Sequence, residues 1–64
     1  MVRINGEDKR ADGMRLSEYL EQEGYSTARI AVECNGGIVP KAEYGEKRLQ
    51  DGDVLEIVSF VGGG

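Results

Sequence analysis

The residues best placed to do chemistry stand together at the end of the sequence: Gly62, Gly63 and Gly64, the last of them carrying a carboxylate. Glycine loses more backbone entropy on ordering than any other residue and has no side chain to pack, so three in a row are expected to form a flexible tail. At about 3.3–3.6 Å per residue such a tail extends roughly 10 Å. It is thin enough to thread a narrow channel and to deliver its carboxylate to another protein's active site. A carboxylate is a poor electrophile, and acyl chemistry on it requires activation, most simply by ATP as an acyl-adenylate. The chain contains no G-x-x-x-x-G-K phosphate loop, so it is expected to supply the carboxylate and not the nucleotide site. A glycine run is also the composition of a linker remnant or frayed terminus. The rest of the chain has to decide between the two.

The other reactive groups are few. Without histidine, the commonest general base near neutral pH and the commonest metal ligand are both missing. Cys34 is the one cysteine, which excludes an internal disulfide and any cysteine-based zinc site within one chain, and fits a reducing compartment. Its position on a strand parity shared with Ile30 and Val32 reads as a small buried hydrophobe. Asp51 and Asp53 lack the companions of a calcium loop and flank a turn at Gly52. Lys41, Lys47 and Arg48 read as solvated surface. No metal site is expected.

With 64 residues, the chain holds one small domain. Hydrophobic residues at 39% and charged residues at 31% are ordinary for a folded chain. A scaffold this small leaves little stability for organising a concave catalytic pocket, so a substrate or binder is expected and not an enzyme. The net charge of −4 disfavours nucleic acid. It favours basic protein partners, whose encounter it would steer. No apolar run approaches membrane-spanning or secretory length, and a cytoplasmic location with no membrane partner is expected.

The tail needs a platform, and the pattern of apolar residues outlines one. Val2 and Ile4 flank Arg3, and Asn5-Gly6 supplies the positive φ values of a tight hairpin turn. Leu16, Tyr19 and Leu20 repeat at helical spacing after Asp12-Gly13, with Gly24 as the stop. Ile30 to Cys34 alternates as a strand and closes at Asn35-Gly36-Gly37. Ile38-Val39 is a short edge strand or an extended exit, because Pro40 has no N–H for a ladder. Lys41 to Arg48 has room for one helical turn. Asp51-Gly52 then launches Val54 to Val61, the longest β-prone run.

Alternation along that last strand separates two faces. Leu55 and Ile57 share one, expected to meet Val2, Ile4, Ile30, Val32 and the helix residues Leu16, Tyr19 and Leu20. The other carries Val58 and Phe60 among Arg3, Glu33 and Glu56. Isolated exposed apolar residues are common, but beside a reactive tail Val58, Phe60 and the adjoining Val61 are candidates for partner docking.

Taken in order, Ile30-Ala31-Val32-Glu33-Cys34-Asn35, Ile38-Val39-Pro40-Lys41, Leu49-Gln50-Asp51-Gly52-Asp53 and Phe60-Val61-Gly62-Gly63-Gly64 resemble the thiamine-biosynthesis sulfur carrier family, which has the ubiquitin-like β-grasp fold. Val2 to Gly6 and the helix around Leu16 to Leu20 extend the resemblance over essentially the whole chain. Arg15 departs from the family's usual helix opening, Tyr44 stands where Trp is common, and Gly62 lengthens the usual terminal pair. The resemblance implies an α+β fold: a mixed sheet with one main helix on one face over residues 1–61, and a glycine tail at 62–64. It implies that Gly64 is adenylated by a ubiquitin-activating-type enzyme, which binds the ATP, and is converted to a thiocarboxylate. Gly62 and Gly63 would thread the partner's channel. A sulfur donor such as a cysteine desulfurase and a thiazole synthase acceptor would complete the partners, with no cofactor on this chain. Three alternatives share the scaffold: sulfur delivery to molybdopterin or an amino-acid precursor, a ubiquitin-like modifier joined to lysines through Gly64, and a non-covalent binding module indifferent to loss of the tail.

Overall fold

The computed structural model describes residues 1–60. Val61, Gly62, Gly63 and Gly64, including every residue expected to react or thread, lie outside the described residues. Strand β1 (Val2–Ile4) turns at Asn5-Gly6 into β2 (Glu7–Lys9). Helix α1 (Leu16–Gln22) follows, then a 3-10 turn at Thr27–Arg29, β3 (Ile30–Cys34), β4 (Gly37–Val39), a second 3-10 turn at Lys41–Glu43, and β5 (Val54–Ser59). The five strands form one mixed sheet in the order β2-β1-β5-β3-β4. The hairpins β1–β2 and β3–β4 are antiparallel, β5 runs antiparallel to β3, and β5 runs parallel to β1. This is the β-grasp architecture. Ile38-Val39 is therefore part of an edge strand, and β5 covers Val54–Ser59, with Phe60 already outside it; Val61, the last residue of the expected run, lies beyond the described residues.

Seven residues are too few for a helix to persist alone in water, so α1 depends on its caps and its apolar face. At its start the N–H of Arg15 donates to Glu18 Oε1 at 2.9 Å. The N–H groups of Leu16 and Ser17, which have no partner inside the helix, donate to the carbonyls of Lys47 (2.8 Å) and Tyr44 (2.9 Å). At its end Gly24 takes φ +79°, and the N–H groups of Gly24 and Tyr25 return to Glu21 and Leu20 at 3.1 and 2.9 Å. That is the Schellman pattern, and it requires a residue tolerant of the left-handed region.

Leu16, Tyr19 and Leu20 bury this face against Val2, Ile4, Ile30, Val32, Leu55 and Ile57. The same core takes in Ala11, Val39, Tyr44 and Leu49, which sequence periodicity does not single out. The segment 41–53 brings two of them in. It is laced to the loop before α1 by Gly13 N–H to Leu49 O at 2.7 Å and Leu49 N–H to Met14 O at 2.8 Å.

Strand β1 is too short to pair with all of β5, and Asn5 makes good the difference. With φ 51° it leaves the strand, yet its side-chain amide acts as a substitute backbone. The N–H of Ile57 donates to Asn5 Oδ1 at 2.8 Å, and Asn5 Nδ2 donates to the Ile57 carbonyl at 3.3 Å. Asn35, at φ 52°, performs a related service at the other end of β5, where Val54 N–H donates to Asn35 Oδ1 at 2.9 Å. Asn5→Ala loses both bonds and places a Cβ with no local hydrogen bond in the left-handed region, so it is expected to cost about 1–3 kcal/mol in urea denaturation. Asn5→Gly, which relieves the backbone but not the clamp, should cost less. Equal losses would assign the whole effect to the amide.

Candidate functional site

Strand β5 lies third of five, hydrogen-bonded on both sides, and runs directly to Phe60. The last described bond along it is Phe60 N–H to the Arg29 carbonyl, 2.7 Å. The carbonyl next to it in sequence, that of Ala28, accepts from Lys41 Nζ at 3.3 Å. The strand that leads into the glycines is thus fixed up to its final described residue.

The face of the sheet away from α1 carries no element of this chain among the described residues. Leu55 and Ile57 are buried, while Val54, Val58 and Phe60 are 46%, 55% and 54% exposed. Ala31 lies across from Val58, and Ile38 on the edge strand is 71% exposed. Val58 and Phe60 therefore stand on an open, partly apolar surface that adjoins the point where the chain leaves the sheet. Ile38 belongs to the same surface. Sequence reasoning missed it because a two-residue apolar run before Pro40 gives no parity to read; its pairing with Glu33 supplies one.

The remaining reactive groups lie elsewhere. Cys34, the last residue of β3, is half-buried against the edge of the core rather than enclosed in it, because the strand ends there at the Asn35-Gly36 turn. Burial pushes its thiol pKa up, and the Asp53 carboxylate adds to this, with Lys47 opposing. Since the thiolate is the nucleophile, alkylation by iodoacetamide at pH 8 should be slower than for a free cysteine and should climb with pH beyond the ordinary thiol range. Cys34→Ser should leave any chemistry at Gly64 intact. Alkylation as fast as for free cysteine would contradict the placement.

Asp53 serves its turn: Oδ2 accepts from Gln50 N–H at 2.9 Å and Oδ1 from Asn35 Nδ2 at 3.0 Å. Asp51 pairs with the N-terminal ammonium, which also meets Asp12 at 3.2 Å, and the ammonium holds the Asp51 carboxyl below its usual range. Lys41 and Arg48 reach separate backbone carbonyls, those of Ala28 and Gly13. Among the described residues no three acidic or cysteine side chains gather as metal ligands, and no helix is long and apolar enough to cross a membrane.

The profile of the ThiS family matches residues 2–64, from the first strand through the last glycine. The chain belongs to the ThiS family. The sulfur carrier protein ThiS of Thermus thermophilus is 38% identical over 64 residues, covering 100% of both chains. The crystal structure of a thiamine biosynthesis protein, ThiS, from Geobacter metallireducens superposes with a TM-score of 0.75 at 27% identity, covering 98% of this chain and 97% of that one. A thiazole synthase from Paramagnetospirillum magneticum is 44% identical over 62 residues, which cover 95% of this chain and 19% of that protein. The chain thus spans about a fifth of that relative's length. ThiS proteins carry sulfur and are not themselves catalysts.

Proposed function

We propose that this chain carries sulfur as a thiocarboxylate on Gly64 for formation of the thiazole ring of thiamine, in the cytoplasm. The observation that carries the reading is the family match through Gly64, together with whole-length similarity to a ThiS sulfur carrier. The central position of β5 supports it, since a strand hydrogen-bonded on both sides gives the chain a fixed base up to Phe60 while the sheet face beside it stays open.

In this reading the partner adenylating enzyme binds ATP. A carboxylate oxygen of Gly64 attacks the α-phosphorus, pyrophosphate leaves, and the acyl-adenylate forms. The persulfide of a donor such as a cysteine desulfurase then displaces AMP to form an acyl disulfide. A second thiol supplied by the partner proteins cleaves its S–S bond, leaving a thiocarboxylate on Gly64 and a disulfide on the donor side. The thiocarboxylate passes its sulfur to thiazole synthase. This chain contributes the carboxylate, the slender Gly62-Gly63 segment and a docking surface at Val58, Phe60 and Val61. It binds no cofactor of its own. The similarity to part of a thiazole synthase supports that acceptor over molybdopterin or an amino-acid precursor.

The test is intact mass after incubation with ATP, the adenylating enzyme and a sulfur donor. The mass should rise by the difference between one sulfur and one oxygen atom, with fragmentation placing the change on Gly64. Isopeptide-linked conjugates in place of that shift would make the chain a protein modifier.

A further inference from the structure

The open face of the sheet has a charged centre. Glu33 of β3 lies directly across from Glu56 of β5, and both point away from α1 because their neighbours Val32 and Ile57 are buried beneath the sheet. Opposed like charges weaken a strand pair. Among the described residues neither carboxylate has a cation within ion-pairing distance. Among the described strand residues of that face the one basic side chain, Arg3, is engaged with Asp8 at 3.3 Å. Around the two carboxylates the surface is apolar, with Val54 and Val58 two residues to either side of Glu56 and Ile38 paired with Glu33. A partner that covered these apolar groups would also cover the carboxylates, and covered carboxylates need a cation to replace their water.

We propose that the Glu33–Glu56 pair is the specificity element of this face, receiving one arginine guanidinium from the adenylating enzyme. Guanidinium suits the site better than ammonium. It is planar, weakly hydrated, able to bond two carboxylates through separate N–H groups, and able to lie against valine and isoleucine side chains while doing so. The repulsion built into the free sheet becomes discrimination: a neutral or acidic surface of the same shape leaves two desolvated charges unanswered. The net charge of −4 assists the same encounter at longer range.

The inference rests on the carrier reading above, and the experiment separates the two. Pyrophosphate exchange is measured with the adenylating enzyme, ATP and either the wild-type chain or Glu33→Gln/Glu56→Gln. In the double variant KM for the carrier should rise at least about tenfold while kcat stays within about twofold. Its KM should also depend less on added salt. Its melting temperature should equal or exceed that of the wild type, because the repulsion is gone. Glu33→Lys, which sets a cation opposite Glu56, should melt higher still and dock worse. An unchanged KM beside normal wild-type exchange overturns the guanidinium site and leaves the carrier intact. A raised KM with a lowered melting temperature overturns it too, since the pair would then be structural. No exchange with the wild-type chain overturns the carrier reading and this inference with it.

Discussion

Removing Gly63 and Gly64 is expected to abolish both pyrophosphate exchange and thiocarboxylate formation, the largest functional loss any change to this chain should produce. The reacting carboxylate would then sit on Gly62, two residues, or about 7 Å, short of its place in the partner's nucleotide site. Reactions that depend on orientation lose far more than this distance allows. The buried cluster is built from residues Val2 to Ile57, so the truncated chain should keep its circular dichroism spectrum and melting temperature. Full exchange by the truncated chain would refute the carrier mechanism and favour a non-covalent module. Gly64→Ala is a finer probe: its carboxylate remains competent, and the added methyl should slow passage through a narrow channel.

Phe60→Ser should weaken activation severely while sparing the fold. Phe60 is half exposed on the open face, beside Val58 and at the last described backbone bond of β5. Large aromatic anchors dominate interface energetics, and truncating one commonly costs 2 kcal/mol or more, which amounts to roughly a 30-fold loss in affinity. The control is Leu55→Ala on the same strand with opposite parity. Leu55 is fully buried, and removing such a side chain costs about 2–5 kcal/mol of stability. The two variants should therefore separate cleanly, one losing exchange at an unchanged melting temperature and the other losing stability. A Phe60→Ser protein that melts like Leu55→Ala would place Phe60 in the core and remove it from the docking surface.

The parts of this fold that are legible in the sequence are those set by local rules. Asn5-Gly6 and Asn35-Gly36 announce hairpins because few residues accept positive φ, and both asparagines adopt it. Strand alternation sorts Leu55 and Ile57 from Val58 and Phe60 because the period of two leaves no choice. Gly24 marks the end of α1 for the reason its φ displays. Tyr44 and Leu49 escape such reading, because their burial comes from segment 41–53 folding back onto the start of α1 through backbone bonds that no side-chain pattern encodes. Arg15 is not a usual helix opener, and the helix begins there because Glu18 and the carbonyls of Lys47 and Tyr44 take up its first N–H groups. The glycines are conspicuous as a sequence, whereas the Glu33–Glu56 pair emerges only once the register of β3 against β5 is known.

The central position of β5 also decides how the domain bears force. A partner that draws the terminal glycines into a channel pulls along the axis of a strand held by parallel β1 on one side, antiparallel β3 on the other, and the Asn5 amide between. Load applied in that direction shears these bonds together on both sides of the strand, whereas the same load on edge strand β4 would be met by its bonds to β3 alone. In the proposed reaction the domain would thus act as a mechanical anchor for the segment beyond Phe60, resisting a pull along β5 through bonds on both sides of the strand.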